Sequence, residues 1–242
     1  MNPAVLITGA SSGIGRETAV LFAAKGFDTI INCKNNSVGL SELAKKLEAG
    51  GTKVLPVVKD VSDPAQVEEM FEIMSKNDML PDIIINNAGI SHIGLLQDMS
   101  FEEWNCVIGT NLTSVFNVCK CAIPHMLQSG GGRIINISSM WGNTGASCEV
   151  AYSASKGGLN AFTKALAKEL APSRIQVNAV AFGAVDTRMN SFLSEDELSA
   201  LVDEIPSGRL CGAAEAASII YRVASLSEYV TGQIITADGG LT

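Results

Sequence analysis

Histidine is almost missing from this chain. His92 and His125 are the only two in 242 residues, and neither has a metal-type partner at ligand spacing. Both are read as non-catalytic, although His92, directly after "NNAGIS", is placed to face a substrate. The six cysteines (Cys33, Cys106, Cys119, Cys121, Cys148 and Cys211) form no C-x-x-C pair, so they read as small reduced thiols and no metal is expected. Basic residues are outnumbered, 17 Lys and Arg against 25 Asp and Glu, for a formal charge of −8. Such a surface repels nucleic acid and anionic membranes. No apolar run approaches the roughly 18 residues of a membrane span. The opening "MNPAVLITGA" lacks the basic segment and long apolar stretch of a secretory signal, so a soluble cytoplasmic protein is expected. Charge is sparse as well, 17% against 47% hydrophobic residues, which excludes disorder and supports a sizeable core.

What is present is a rhythm. Short apolar runs at 4–8, 29–32, 53–58, 82–86, 133–138, 176–181 and 233–237 read as strands. Most lack strict polar alternation, as strands buried on both faces do. Between them, helical spacing covers 13–25, 38–49, 64–76, 101–127, 152–171 and 213–225. The alternation predicts an α/β chain: one doubly wound Rossmann-type domain over 1–242, a seven-stranded parallel sheet with helices on both faces. Residues 183–211 break the rhythm with a loop and a short acidic helix, and are expected to form a mobile substrate lid.

"TGASSGIG" (8–15) follows the first strand. Gly9, Gly13 and Gly15 allow a tight turn and close backbone approach, Ser11 and Ser12 add hydroxyls, and the helix start at Gly13 and Ile14 offers free N–H groups to a pyrophosphate. At the end of the second strand a carboxylate would grip a ribose 2′-hydroxyl. Cys33 stands there instead, Lys34 follows, and Asp28 lies at the wrong end of the strand. A neutral residue followed by a cation favours NADP(H) over NAD(H).

In order along the chain come "TGASSGIG" (8–15), "DV" (60–61), "NNAG" (86–89), Asn111 in "GTNLTSVF", "SS" (138–139), "YSASK" (152–156) and "DGG" (238–240). Over essentially its whole length the chain resembles the short-chain dehydrogenase/reductases. The resemblance implies a catalytic set of Asn111, Ser139, Tyr152 and Lys156. Tyr152 would be the general acid in ketone reduction and the base in oxidation. Lys156, one helical turn along, would lower the phenol from its usual pKa near 10 and hold the nicotinamide ribose. Ser139 would donate to the carbonyl oxygen, Ser138 pointing the other way. Asn111 would kink its helix and hold a water in a proton relay. Asp60 and Val61 would contact adenine, Asn87, Ala88 and Gly89 the cofactor ribose, and Val185 and Thr187 the nicotinamide amide, while Asn86 would stabilise the sheet.

Where the family usually has Pro-Gly after the sixth strand, this chain has Phe182-Gly183, which is expected to set an aromatic ring beside the nicotinamide. "SMWGNTGASCEV" (139–150) supplies the expected substrate wall. The strongest likeness is to 3-oxoacyl-[acyl-carrier-protein] reductases, in "GRIINISS", "GLNAFTKALAKELA", "IQVNAVA" and "YVTGQIITADGG". It implies a homotetramer that reduces a 3-oxoacyl thioester with NADPH. Arg133 and Arg174 stand near the positions where such enzymes dock an acidic carrier, but a net −8 disfavours that docking, so a free ketone or a coenzyme A thioester stays open. The alternatives are a reductase of another ketone, such as a hydroxysteroid or sugar derivative, and a non-catalytic dinucleotide-binding regulator.

Overall fold

Isoleucine and valine dominate the short runs, and these runs become the buried sheet. In the computed structural model, which describes residues 2–190 and 194–242, the strands are Ala4–Ile7 (β1), Asp28–Cys33 (β2), Val54–Val58 (β3), Ile83–Asn86 (β4), Gly132–Ser139 (β5), Ile175–Phe182 (β6), Val185–Asp186 (β7), Cys211–Gly212 (β8) and Ile234–Ala237 (β9). Seven of them form one parallel sheet in the order β3-β2-β1-β4-β5-β6-β9. The helices are Gly13–Ala24 (α1), Ser37–Glu48 (α2), Pro64–Lys76 (α3), Phe101–Ile108 (α4), Ser114–Ser129 (α5), Trp141–Thr144 (α6), Val150–Leu170 (α7), Glu195–Glu204 (α8) and Ala213–Ala224 (α9).

Side chains alternate across the strands, so each strand feeds two cores. Val5, Ile7, Ile31 and Ile85 pack under α1, α2 and α9 with Phe22, Leu43 and Ile220. Leu6, Ile30, Ile84 and Ile134 pack under α3, α5 and α7 with Met70, Met74, Met126 and Leu159. The apolar runs predicted this burial on both faces. After β1 the chain winds outward through β2 and β3, then returns to place β4 on the other side of β1. Ligands of open α/β sheets bind in the crevice at such a reversal, beyond the carboxyl ends of the strands.

A buried polar thread fixes α7 against the sheet. Asn86 donates to Asn136 Oδ1 (2.9 Å), Asn136 donates to Thr163 Oγ1 (2.9 Å), and Thr163 donates to the Leu159 carbonyl (2.8 Å). The register sets Asn86 opposite Asn136, in keeping with a sheet-stabilising role. Asn136→Ala cuts the thread in the middle and strands two buried partners. Denaturant unfolding should show a loss of about 2–4 kcal/mol with an unchanged m-value.

Two features depart from the expected elements. The helix expected over 101–127 runs to Ser129 and carries a five-residue π segment, Gly109–Thr113, between α4 and α5. By length and hydropathy the stretch Phe101–Ser129 could cross a membrane, yet 44% of its apolar window is buried within the fold. The irregular segment 183–211 is tied at its base: β7 pairs with β8 through Val185 and Cys211, and Asp186 and Gly212. α8 lies between, started by a capping box of Ser194 and Glu197. Residues 191–193 of the expected lid lie outside the described residues.

Candidate active site

The turn after β1 is built around Thr8. Its Oγ1 accepts from the backbone N–H groups of Asn87 and Ala88, both at 3.0 Å. Asn87 Nδ2 returns bonds to the carbonyls of Thr8 (2.9 Å) and Gly9 (3.2 Å). The loops after β1 and β4 are thereby clamped together. Gly9 has φ +65°, and a Cβ there would lie 2.9 Å from Ala88 Cα. A Cβ on Gly15 would lie 2.5 Å from the Gly9 carbonyl oxygen. Gly15 is buried behind the loop, so its place is in packing α1 against the turn. Ser12 caps α1 in extended conformation with no capping bond from its hydroxyl, and the first turn carries no acidic residue. The positive end of α1 is left for an anion.

A cleft of about 920 Å³ runs over the strand ends from this turn. Gly9, Ser11, Ser12, Gly13 and Ile14 line its middle with Asn87, Ala88 and Gly89. Lys34, Asp60 and Val61 line one end, and Ser139, Tyr152, Lys156, Val185 and Thr187 the other. Of the residues singled out in the sequence, Gly15 and Asn111 stand behind the wall. Lys34 and Asp60, read separately from sequence, form an ion pair at 2.7 Å. Asp60 also accepts from the Ser62 hydroxyl and N–H, and these bonds hold its carboxyl below the ordinary range against the opposing effect of burial. Asp28 is far away, accepting from Asn2 and from the Lys53 N–H at the start of β2.

β5 and α7 deliver the candidate catalytic groups. Ser139 ends β5, and Tyr152 and Lys156 lie one turn apart in the first half of α7. Ser139 Oγ accepts from the Trp141 N–H at 3.2 Å and lies near enough to the Tyr152 phenol to favour its ionised form. Ser138 turns away and donates to Asn160 Oδ1 at 2.6 Å. Lys156 Nζ is buried, donates to the Ile137 carbonyl (2.7 Å) and lies 5.6 Å from the Tyr152 ring centre. Asn111 sits in the π segment, fully buried. Its amide brackets Ile90, accepting from the N–H and donating to the carbonyl (both 2.9 Å), and it donates to Ser155 Oγ (3.0 Å). A Cβ on Gly89 would meet Asn111 Oδ1 at 3.4 Å and Lys156 Nζ at 3.5 Å, so these two groups flank that glycine.

The model of the short chain dehydrogenase family matches residues 3–198. The chain belongs to the short chain dehydrogenase family. A 3-oxoacyl-[acyl-carrier-protein] reductase from Thermotoga maritima is 42% identical, over 98% of this chain and 96% of its own. An uncharacterized oxidoreductase of Bacillus subtilis, YmfI, is 38% identical over 99% of each. Among solved structures, a candidate gluconate dehydrogenase from Agrobacterium tumefaciens superposes with a TM-score of 0.94 at 31% identity, covering 99% of this chain and 95% of its own.

In this short chain dehydrogenase the electrostatics of Tyr152 differ from the expectation. Burial pushes the phenol up to about 12, the Ser139 hydroxyl lowers it, and the nearby Glu149 carboxylate raises it further. Burial also pulls Lys156 down to about 8. The same burial opposes both charges, but at neutral pH Lys156 is still mainly an ammonium while the phenol stays neutral. Burial therefore outweighs the lowering by Ser139, and the protein's own groups leave the phenol raised.

Phe182 differs in part. Its ring is 3% exposed, packed in the core under α1 and α9 while forming cleft floor, and its carbonyl accepts from the Met140 N–H (2.9 Å). His92 is not among the cleft-lining residues although Ser91 and Ile93 are, and it stands 3.9 Å from Glu103. Met140 and Trp141 do line the cleft, as expected of the substrate wall, and so do Arg188, Met189 and Leu201 of the segment after β6. Sequence reasoning missed Thr8, whose signal was a hydroxyl residue between the strand and the first glycine. It named Glu149 only as part of the 139–150 wall, and this residue lines the cleft three residues before Tyr152.

Proposed function

We propose that this chain reduces a ketone to a secondary alcohol with NADPH. The observation that carries the reading is the convergence of the Ser139, Tyr152 and Lys156 side chains at one end of a cleft whose middle is the glycine turn. The residues fit a dinucleotide: the turn leaves no room for a Cβ at Gly9, and α1 presents an unopposed positive end. A nicotinamide held in this cleft would supply the hydride and, once oxidised, a positive charge. Ser139 donates to the substrate carbonyl oxygen and steadies its growing negative charge. Tyr152 delivers the proton to that oxygen. Lys156 steadies the phenolate left behind, and Asn111 braces the loop at Ile90 against α7.

Support for NADPH over NADH is local. Cys33 is buried at the end of β2, with no carboxylate in its place, and Lys34 follows it at the cleft rim. The Asp60 partner tempers Lys34, so the preference should be moderate. Lys34→Ala should cut the ratio of kcat/KM for NADPH over NADH about tenfold, in steady-state assays with both cofactors.

The 3-oxoacyl thioesters named for the reductase relatives are the first candidate substrates. One observation favours a ketone without an acidic carrier. Arg133 is engaged with the Leu226 carbonyl (2.7 Å), and Arg174 forms a two-pronged ion pair with Glu228 (3.0 and 3.3 Å). Both stand at the amino-terminal ends of β5 and β6, about 20 Å along the strand from Ser139. The deciding experiment follows NADPH absorbance with acetoacetyl-CoA, acetoacetyl-carrier protein and small free ketones. Turnover with either thioester matching that with free ketones supports the thioester reading; turnover confined to free ketones supports the other. A homotetramer is part of the proposal, supported by exposed Phe101, Phe116, Leu127 and Tyr229. Light scattering should give four times the 25.3 kDa chain mass.

A further inference from the structure

Glu149 holds the N-cap position of α7. A side-chain oxygen at such a position ordinarily accepts from the free N–H groups of the first turn. The Glu149 side chain makes no capping bond. It lines the cleft instead, half-buried, as does Trp141 at the start of α6, whose indole lies near enough to favour the ionised carboxylate. No ion pair among the described residues includes Glu149. Of the cleft's lysines, Lys34 is paired with Asp60 at the far end and Lys156 is bonded to Ile137. A half-buried carboxylate that shares a cleft wall with an indole, and that pairs with none of the cleft cations Lys34, Lys156 and Arg188, suits the recognition of an ammonium group.

The distance to the chemistry is short. Residues three apart on a helix start about 5–6 Å from each other. The Glu149 charge is felt by the Tyr152 phenol. A group bound at Glu149 therefore sits only a few carbons from a carbonyl bound at Tyr152 and Ser139. A carboxylate or phosphate at the same place would meet like charge.

We propose that Glu149 and Trp141 form a subsite for an ammonium group on the substrate, so that the enzyme selects a ketone with a positive charge a few carbons from its carbonyl. This rests on the reading of the site as a ketone reductase, and it names the substrate class. The test uses three methyl ketones of one size, ending in a trimethylammonium group, a tert-butyl group or a carboxylate. The quaternary ion is chosen because a primary amine would cyclise onto the ketone. The kcat/KM for the cationic ketone should exceed that of the tert-butyl ketone about tenfold or more, with the anionic ketone poorest. Glu149→Gln should bring the cationic and neutral ketones near parity. Because any effect of Glu149 on Tyr152 falls on all three alike, the ratio isolates the subsite. Calorimetry of the cationic ketone with the NADP⁺-loaded protein should show the same loss of affinity in the variant. Parity in the wild type, or a preference that survives Glu149→Gln, overturns the subsite and leaves the reductase reading standing. No turnover of any ketone, with binding of the cation still dependent on Glu149, supports the subsite and removes the reductase reading. No turnover and no such binding removes both.

Discussion

Tyr152→Phe should lower kcat for ketone reduction by about 10²–10⁴-fold while leaving dinucleotide affinity within about twofold. The substitution removes one oxygen and keeps the ring. Tyr152 is 9% exposed and packed, so the phenyl group fills the same space and the fold has no cavity to absorb. What is lost is the phenol hydroxyl, on a residue that lines the same end of the cleft as Ser139. With the phenol pushed up to about 12 by burial, the acid form predominates throughout the neutral range, which suits proton delivery in the reductive direction. Oxidation of the alcohol needs the phenolate, so its rate should climb with pH well above neutrality. Single-turnover kinetics with saturating NADPH, together with fluorescence titration of the cofactor, separate the chemical step from binding. A variant that keeps turnover within a few-fold of wild type would remove Tyr152 from the chemistry.

Lys156→Met should abolish most turnover and yet make the protein more stable at pH 7. Lys156 is buried with its ammonium bonded to a single carbonyl, and its pKa falls from 10.5 to about 8 on folding. The unfolded chain therefore binds the proton more tightly than the folded one. Between pH 8 and 10.5 the unfolded state carries more protons, so stability rises with pH across that window. Below it the folded state bears the full penalty, of order ~3 kcal/mol. Methionine fills similar space without that penalty. Urea unfolding should place the variant above wild type by about 2–3 kcal/mol at pH 7, with the gap closing as pH approaches 10. Tyr152 titrates later, between its ordinary 10 and about 12, and there acts in the opposite sense by destabilising the fold as pH rises. A variant less stable than wild type at pH 7 would mean that Lys156 is better solvated or better paired than its burial implies.

Much of this architecture can be read directly from residue order. Strands buried on both faces announce themselves as unbroken isoleucine and valine runs, and "TGASSGIG" marks the turn because only glycine tolerates its close approaches. Tyr152 and Lys156 declare their shared face by spacing alone. Other features depend on contacts between distant segments. Lys34 and Asp60 meet because β2 and β3 end side by side, and nothing in either local stretch announces the pair. The π segment at Gly109–Thr113 leaves apolar periodicity nearly intact, so a weak helix former at Asn111 was its only trace. The depressed lysine and raised phenol follow from burial, which spacing does not report. Glu149 was not singled out because α7 starts two residues earlier than its apolar pattern, which turns a wall residue into a cap that faces the cleft.

The central claim is that Ser139, Tyr152 and Lys156 serve hydride transfer between a nicotinamide and a carbonyl carbon. Mass spectrometry of the product formed from NADPH deuterated on its reactive carbon tests it directly. A ketone panel incubated with the wild-type protein should yield an alcohol carrying one deuterium on the carbinol carbon, and the Tyr152→Phe protein should yield almost none. If no ketone or alcohol acquires label from deuterated NADPH or NADH while the protein still binds the dinucleotide, the cleft is a sensor of the cofactor and not a site of reduction.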